Sequence, residues 1–456
     1  MDGGNGQGNE SIDYEEIFSP VAKMNSVRAI IAICAYNEWD VFQDDVPTAF
    51  LKGVLKEEVW MDQPPGFTKG NLKCRLKKAL YGLKQAPREF KQLMHKYLSS
   101  KGFKNTSADA CVYCKPTAGN GIILVGVYVD DILSTGTEIK YVQKFRAELI
   151  KDFKMETGGP LEFYLGIKVS KSSDGVVTLD QNEYLRQKCS KFSSFIGQGG
   201  HSSPLPHDYL KIIEKEKGQP ESGFPYAEMV GSLMYAMVCT RPDIAMAMSV
   251  VDRYTHKPTA GSVQILKHLF RYVTCNSYSL QFHPCTNTER MVLTGWADAS
   301  YCNQTNSKST SGYCFKLGGS LISWASVRQD IVALSTAEAE YIAATCAGQE
   351  TLWLKSLLNS LSEPQGNVTI FEDNQACILL SKNTQNHKRS KHINARYDWI
   401  RDHIRDGDFE LVYCSTKSQL ADCLTKSLPG VILRQQMARL GVTHSSHITV
   451  KEAIRQ

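Results

Sequence analysis

The sequence predicts a mixed α+β fold, and two observations support this prediction. Short runs rich in β-branched residues, such as residues 122–129 (IILVGVYV), are typical of buried strands, whereas residues 139–153 (IKYVQKFRAELIKDF) have the spacing of an amphipathic helix. From residue 291 onward the predicted order is strand, strand, strand, helix, strand, helix, helix, strand, helix, which is the pattern of a mixed α/β sheet. The length of 456 residues is enough for roughly two to four domains.

The composition is that of a globular protein, because 42% of the residues are hydrophobic and 22% are charged. The net charge of +5 permits a polyanionic partner without requiring one. The 14 cysteines are scattered, and the close pair Cys111 and Cys114 has no second pair to complete a zinc site, so we predict free thiols in a reducing compartment. Because the chain shows no signal peptide and no apolar run of ~18 residues, we predict no membrane-spanning segment.

The elements of the first part lead to an acidic hairpin. We predict disorder over the Gly- and Asn-rich residues 1–12, and a strand that ends or bulges near Asp45, because Pro47 has no amide hydrogen to donate. Residues 121–136 (GIILVGVYVDDILSTG) then predict two strands joined at a turn that carries Asp130 and Asp131.

Adjacent carboxylates at the end of a buried strand are costly unless a cation neutralises them. A divalent metal ion is the simplest such cation, and oxygen ligands favour Mg²⁺ or Mn²⁺. Taken alone, an Asp-Asp pair at a turn is more often structural than catalytic. Asp45 shifts that balance, since carboxylates from neighbouring strands can hold two metal ions roughly 4 Å apart.

The second part contains another set of acids. The Gly/Ser/Pro-rich residues 197–206 indicate a boundary, after which residues 226–254 and 260–273 are predicted to be helical. In the α/β region that follows, four acids lie on two predicted strand ends and two predicted helices, and such acids can converge on one pair of metal ions. They are Asp298 after the strand 291–296, either Glu338 or Glu340 in the helix 336–361, Asp373 after the strand 368–372, and Asp422 in the last helix.

Five stretches, in this order, resemble the reverse transcriptase of copia-type retrotransposons, and five ordered motifs are far more specific than any one of them. They are residues 43–53 (QDDVPTAFLKG), 60–67 (WMDQPPGF), 74–88 (CRLKKALYGLKQAPR), 128–131 (YVDD) and 163–169 (FYLGIKV). The resemblance covers roughly residues 13–281. It implies a palm/thumb-like fold in which Asp45, Asp130 and Asp131 bind the catalytic metal ions.

The same resemblance implies roles for five more residues. Phe50 matches the aromatic position whose ring would clash with a ribose 2′-OH, which favours deoxynucleotides. Gln85 resembles the residue beside the incoming nucleotide and the template base, and Tyr128 would touch the primer end. Leu165 and Gly166 resemble the turn that grips the primer backbone.

Residues 309–319, Trp324 and residues 391–397 (KHINARY), together with the four acids of the second set, resemble the ribonuclease H domain of the same elements over roughly residues 291–426. Glu338 and Glu340 compete for the acid on the long helix, and they point to different faces of it. Glu340 matches the family's Glu–apolar–apolar–Ala pattern better. The resemblance therefore implies Asp298, Glu340, Asp373 and Asp422 as the metal-binding acids of an α/β ribonuclease H-like domain.

Three features depart from the family pattern. The family's finger segment, whose Lys and Arg grip the triphosphate, is expected upstream of Asp13, so we expect this chain to lack it. Asp44 stands where the family usually has an apolar residue, and Pro47 where it usually has Lys. A carboxylate beside Asp45 would raise a neighbouring pKa if it were buried, or would point to solvent, as strand alternation allows.

The predicted domains are a disordered segment (1–12), a palm with partial fingers (13–197), a thumb or helical connection (198–288), a ribonuclease H-like domain (289–430) and a C-terminal tail (431–456). The resemblance implies an RNA-directed DNA polymerase fused to a ribonuclease H, with two Mg²⁺ (or Mn²⁺) ions in each active site. Its partners would be an RNA template, a DNA primer, an RNA–DNA hybrid and deoxynucleotides, away from membranes, in a cytoplasmic virus-like particle or in the nucleus. Two alternatives stay open: an inactive truncated remnant that only binds nucleic acid, and a ribonuclease H-only enzyme.

Overall fold

The computed structural model describes residues 20–444 except 221, 286–289, 305 and 383–390, and it describes residues 391–397 by their backbone only. The predicted disordered segment 1–12 lies outside the described residues. The described chain forms two compact units, one of residues 20–26 and 40–161 and the other of residues 27–39 and 162–444. The predicted mixed α+β class is confirmed, because helices and strands occur in both units.

The first unit is built on an antiparallel sheet beside a separate hairpin, and it shares the helix α1 (Met24–Tyr36) with the second unit, to which residues 27–36 belong. Its further elements are, in chain order, β1 (Val41–Asp45), α2 (Ala49–Lys52), β2 (Val54–Asp62), β3 (Lys73–Lys78), α3 (Ala86–Ser100), β4 (Lys104–Asn105), β5 (Val112–Pro116), β6 (Ile122–Tyr128), β7 (Asp131–Gly136), α4 (Ile139–Phe153) and β8 (Gly159–Pro160). The sheet has the strand order β4-β5-β6-β7-β1-β8, and β2 and β3 form the hairpin. The core includes Phe90 and Leu98 of α3, Val125 of β6 and Leu149 of α4, all at most 1% exposed. Each such side chain contributes about 1.5–3 kcal/mol of transfer free energy.

Strand β1 carries the first predicted acid and lies between β7 and β8. It ends at Asp45, as predicted from Pro47. Gly158, just before β8, approaches β1 so closely that an added Cβ would stand 1.9 Å from the carbonyl oxygen of Gln43. Glycine is therefore required there, and the end of β1 is held tightly by the chain beside it.

The second unit contains two further sheets, with the strand orders β18-β12-β11-β10-β9 and β15-β14-β13-β16-β17. Besides the residues of α1, its elements are β9 (Phe163–Tyr164), β10 (Ile167–Lys171), β11 (Val177–Asp180), α5 (Asn182–Lys191), α6 (Ser193–Ile196), α7 (Tyr209–Lys215), α8 (Tyr226–Cys239), α9 (Ala245–Val251), α10 (Ala260–Cys275), β12 (Tyr278–Phe282), β13 (Leu293–Ser300), β14 (Thr310–Leu317), β15 (Ser320–Arg328), α11 (Thr336–Ser360), β16 (Val368–Glu372), α12 (Gln375–Lys382), α13 (Lys391–Arg405), β17 (Phe409–Tyr413), α14 (Gly430–Leu440) and β18 (Val442–His444). Arg28 of α1 is buried here, where its Nε donates to the carbonyl oxygen of Ile322 at 2.8 Å and its guanidinium lies 3.9 Å from the Trp324 ring.

The sheet around β13 positions the second set of acids. Strand β13 pairs antiparallel with β14 and parallel with β16. The C-terminal ends of β13 and β16 therefore lie at the same edge of the sheet. Asp298 is at this end of β13, and Asp373 directly follows this end of β16. Strand β16 has the predicted bounds, but β13 continues to Ser300 because its pairing with β14 continues that far. Asp298 therefore lies within the strand and not after it, which corrects the prediction.

Two other predictions differ from the structure. Asp422 lies on a 3₁₀ turn, Leu420–Leu424, and not on a longer helix, and the Gln419 side chain caps this turn by accepting from the Ala421 amide. Part of the region predicted as a C-terminal tail forms α14 and β18, and β18 pairs with β12. No helix in the described part of the chain is long and apolar enough to cross a bilayer.

Candidate active sites

Strands β1 and β7 bring the first set of acids together. Asp45 pairs with Asp131 across the two strands, and the amide of Val46 donates to the carbonyl oxygen of Asp130 at 3.0 Å. The hairpin between β6 and β7 turns at Val129 and Asp130, and Val129 has a φ of 55°. A β-branched residue rarely adopts this conformation, and such strain is often found at functional sites.

Electrostatics at this turn favour a cation. Burial, and then the neighbouring Asp130 and Asp45, raise the pKa of Asp131, although Gln43 Nε2 donates to its Oδ1 at 2.8 Å and opposes the shift. Burial and Asp130 also raise the pKa of Asp45. Each carboxylate is thus harder to ionise beside the others, and a bound cation would relieve that repulsion.

Asp44 points to the opposite face of β1 and is fully buried. Its Oδ2 and Oδ1 accept from Nε and Nη2 of Arg146 on α4 at 2.7 and 2.8 Å, and its Oδ1 also accepts from the Gly158 amide at 3.2 Å. Asp44 therefore does not point to solvent. It is buried, but its charge is paired with Arg146 and does not stand free beside Asp45.

The predicted nucleotide-binding residues of the first unit lie on its short helix, its loops and its hairpin. Phe50 is on α2 with its ring 5.9 Å from the ring of exposed Tyr81. Gln85 precedes α3 and is fully buried, and neither its Nε2 nor its Oε1 has a hydrogen-bond partner among the described residues. Tyr128 ends β6, directly opposite Asp131.

Leu165 and Gly166 form the turn between β9 and β10 in the second unit. Both have positive φ angles, 54° and 73°. The Tyr235 hydroxyl donates to the carbonyl oxygen of Leu165 and holds the turn in place.

Three acids of the second set converge. Asp298 of β13, Glu340 of α11 and Asp373 after β16 each offer a carboxylate oxygen, and these oxygens lie within 4.8 Å of one another. Among the described residues this trio is the one such group of Asp, Glu, His or Cys side chains. The oxygens of the first set, Asp45 and Asp131 on paired strands and Asp130 at the turn, do not reach that distance. Asp373 also accepts from the Thr416 hydroxyl at 2.7 Å.

Burial raises the pKa of two acids of the trio, Asp298 and Glu340. It raises the pKa of Asp298 to about 6, against the opposing effect of Lys426. It raises the pKa of Glu340 to about 10, with further contributions from Glu372 and Asp298. Glu340 Oε2 is buried without a hydrogen-bond partner among the described residues. A buried, unpartnered oxygen facing other carboxylates fits a divalent cation, since such ions take several oxygen ligands.

Glu372 was missed by the sequence analysis. It is fully buried directly before Asp373, its Oε1 accepts from the Asn374 amide at 3.0 Å, and its Oε2 has no partner among the described residues. Burial, together with the charges of Asp298 and Asp373, raises its pKa well above the ordinary value. An acidic residue at an inward position of a predicted strand was the signal that could have found it.

Asp422 lies outside the trio. Its Oδ1 forms an ion pair with Lys426, whose Nζ also lies 3.1 Å from Asp298 Oδ1. Thr425 donates to the other oxygen of Asp298. The structure thus connects the fourth predicted acid to the trio through a lysine ammonium.

Glu338, the competitor of Glu340, has a structural role in the described chain. Its amide donates to the side chain of the cap residue Ser335 at 3.2 Å, and its Oε2 accepts from the Leu334 amide at 2.8 Å. These contacts complete the first turn of α11. Of the two glutamates, Glu340 is the one whose side chain lies beside Asp298 and Asp373. It is also the one that the sequence pattern favoured.

Comparisons with known proteins identify the family. Residues 4–204 match the family model described as reverse transcriptase (RNA-dependent DNA polymerase). The chain is 40% identical over 432 residues to the retrovirus-related Pol polyprotein from transposon TNT 1-94 of Nicotiana tabacum, covering 92% of this chain and 32% of the relative. It is 34% identical over 440 residues to the corresponding polyprotein from transposon RE1 of Arabidopsis thaliana, covering 95% of this chain and 29% of the relative. The chain thus spans about a third of the length of these curated relatives.

Solved structures show distant similarity. The foamy viral protease–reverse transcriptase in complex with dsDNA aligns over 84% of this chain and 70% of that chain, with a TM-score of 0.44 and 12% identity. Ribonuclease H1 from Halobacterium salinarum aligns over 30% of this chain and 95% of that chain, with a TM-score of 0.23 and 12% identity. From its sequence matches, the chain belongs to the reverse transcriptase family, as a relative of the Pol polyproteins of copia-type retrotransposons.

Proposed function

We propose that this chain is an RNA-directed DNA polymerase with an additional ribonuclease H activity, which copies RNA into DNA and cuts the RNA of the resulting hybrid. The observation that supports the polymerase is the pairing of Asp45 with Asp131, next to Asp130, inside the region that matches the family model. The observation that supports the nuclease is the approach of the Asp298, Glu340 and Asp373 oxygens to within 4.8 Å of one another.

In the polymerase site, Asp45, Asp130 and Asp131 would hold two Mg²⁺ or Mn²⁺ ions. When bound, such ions activate the attacking hydroxyl and stabilise charge on the phosphate in nucleotidyl transfer. Gln43 orients Asp131 through the hydrogen bond to its Oδ1. The strained turn at Val129 keeps Asp130 at the tip of the hairpin, next to Asp131.

The remaining predicted residues would bind the nucleotide and the primer. The Phe50 ring excludes a 2′-OH from the incoming nucleotide and so selects deoxynucleotides. The amide of Gln85, which has no hydrogen-bond partner among the residues that the structure describes, supplies a donor and an acceptor for that nucleotide. Tyr128 contacts the primer end, and the turn at Leu165 and Gly166, held by Tyr235, grips the primer backbone.

In the nuclease site, Asp298, Glu340, Asp373 and Asp422 would hold the divalent ions. Asp298 and Glu340 of this group are buried, which excludes water from their carboxylates and strengthens their attraction for a cation, whereas Asp373 is half-buried. Neither activity requires base-specific contacts, because the backbone and the 2′-OH distinguish RNA from DNA. The partners would be an RNA template, a DNA primer and their hybrid, in a cytoplasmic virus-like particle or in the nucleus.

Two assays on three variants test this function. Primer extension on an RNA template and cleavage of an RNA–DNA hybrid are measured with Mg²⁺ and with Mn²⁺. We expect Asp130→Asn to abolish extension while cleavage remains, and Asp373→Asn to abolish cleavage while extension remains, because each change removes a negative charge from one site. Asp402→Asn, at a half-exposed position paired with Arg405, is the matched control and should leave both rates unchanged.

The alternatives give other outcomes. Cleavage without extension in the wild-type chain would support a ribonuclease H-only enzyme with an inert palm. Hybrid binding with neither activity would support an inactive remnant. Either result contradicts the proposal.

A further inference from the structure

Lys426 lies between two acids of the nuclease site. It follows Asp422 by four residues and forms an ion pair with its Oδ1, and the Lys426 Nζ is 3.1 Å from Asp298 Oδ1. The lysine side chain is a cation at neutral pH, and its Nζ lies within hydrogen-bond distance of a carboxylate oxygen of both Asp298 and Asp422. The described chain thus already provides one cation to this pair of carboxylates.

The arrangement divides the four acids into two groups. Asp298, Glu340 and Asp373 approach one another closely, whereas Asp422 contacts Lys426. Asp298 belongs to both groups, since one of its oxygens meets Lys426 and the other accepts from Thr425. A divalent ion shared by Asp298 and Asp422 would occupy the same carboxylate oxygens as the lysine.

Lysine is suited to being exchanged for an ion. Its ammonium is a compact point charge on a flexible stem, unlike the planar guanidinium of arginine. The Lys426 side chain is 37% exposed, so it has a path to solvent. When the ammonium moves along this path, a divalent ion with several oxygen ligands can take its place at the carboxylates.

We propose that Lys426 is an internal cation that competes with the second divalent ion of the nuclease site. This inference rests on the proposed ribonuclease H function. The first ion binds the trio, in which Asp298 is the one acid that is paired with Lys426. The second ion binds the Asp298–Asp422 pair only when the Lys426 ammonium moves away, so the lysine makes occupancy of the second position weak in the absence of nucleic acid.

Mn²⁺ titration of the metal-free full chain by calorimetry tests this competition. We expect Lys426→Met to tighten the weaker nuclease-site ion about tenfold, the change produced by ~1.4 kcal/mol. Lys417→Met, at an exposed position on the neighbouring 3₁₀ turn, should leave the isotherm unchanged. Ions bound by the palm acids are common to all variants and cancel in the differences.

Asp422→Asn is a second variant that leaves Lys426 in place. We expect it to lose the weaker ion and keep the ion of the trio. An unchanged or weaker isotherm for Lys426→Met, or retention of both ions by Asp422→Asn, would overturn the competition.

Asp373→Asn separates this inference from the proposed function. If Asp373→Asn loses Mn²⁺ binding while Lys426→Met leaves it unchanged, the trio binds metal and only the competition fails. If Asp373→Asn binds as many ions as the wild type, the trio is not a metal site, and the proposed nuclease fails together with the inference.

Discussion

At the scale of single residues, neighbouring acids of this chain have different roles because their surroundings differ. Glu338 completes the first turn of α11, whereas Glu340 is buried beside Asp298 and Asp373. Asp44 is neutralised by Arg146, whereas Asp45 points to the other face of β1. Spacing in the sequence restricts which acids can meet, and burial then decides what each carboxylate can do.

The pH dependence of stability should report on Glu340. Because burial raises its pKa from 4.5 to about 10, the folded metal-free chain holds this proton more tightly than the unfolded chain does. Its contribution is fully present below pH 4.5 and is lost as the pH rises toward 10. The glutamine of Glu340→Gln cannot ionise. As the pH rises, the Tm of this variant should therefore fall less than the Tm of the wild type, and the two decreases should differ by at least about 2 °C at pH 9.

Thermal melts between pH 5 and pH 9 in the presence of a chelator measure this difference. Glu410→Gln, whose side chain accepts from Thr369, is the control and should follow the wild-type curve. Adding Mg²⁺ at pH 8 should raise the Tm of the wild type more than that of Glu340→Gln, since the ion would displace the Glu340 proton and bind the carboxylate, whereas glutamine offers only a neutral amide oxygen. Parallel curves for wild type and Glu340→Gln would contradict this account.

At the scale of elements, one ion pair connects three parts of the first unit. Arg146 of α4 binds both oxygens of Asp44 on β1 and also donates to the carbonyl oxygen of Gly158 at 3.0 Å. Its guanidinium further lies 4.4 Å from the Phe42 ring. The helix, the strand and the segment before β8 are therefore held together directly behind Asp45.

Breaking this pair should destabilise the first unit. Asp44→Asn leaves a buried guanidinium without its counter-charge, and we expect a loss of about 3–5 kcal/mol in the free energy of unfolding. Urea denaturation measures the loss. Asp40→Asn, an exposed change just before the same strand, should stay within about 0.5 kcal/mol of the wild type. Equal stability of Asp44→Asn and the wild type would show that the pair contributes nothing net.

At the scale of the whole molecule, the two sets of metal-binding acids lie in separate compact units. Strands β1 and β7 carry the first set, and β13, α11 and the end of β16 carry the trio. Each unit has sheets and buried clusters of its own, so each site is organised by packing within one unit. The two proposed chemistries therefore have separate structural supports.

This separation predicts additive effects on stability. The combined variant Asp130→Asn/Asp373→Asn should change the free energy of unfolding by the sum of the two single changes, within about 0.5 kcal/mol. Denaturation of the wild type, both single variants and the double variant supplies the comparison. A larger discrepancy would mean that the two acidic sites are energetically coupled.

The local sequence was sufficient to predict several strands and helices of this protein and its family. Hydrophobic period and β-branched runs predicted β16 and α4 with their observed bounds, and the missing amide hydrogen of Pro47 correctly predicted where β1 ends. The ordered motifs indicated the reverse transcriptase family. These features follow from neighbours in the chain, because strand and helix periods and turn chemistry act over a few residues.

Only the tertiary structure decided which charges meet. Arg146 binds Asp44 across 102 residues, and Lys426 reaches Asp298 across 128. Glu372 is likewise buried close to Glu340 of α11, which precedes it by 32 residues in the chain. The physical reason is that burial and long-range approach depend on how distant elements pack, and no local period of the chain specifies them.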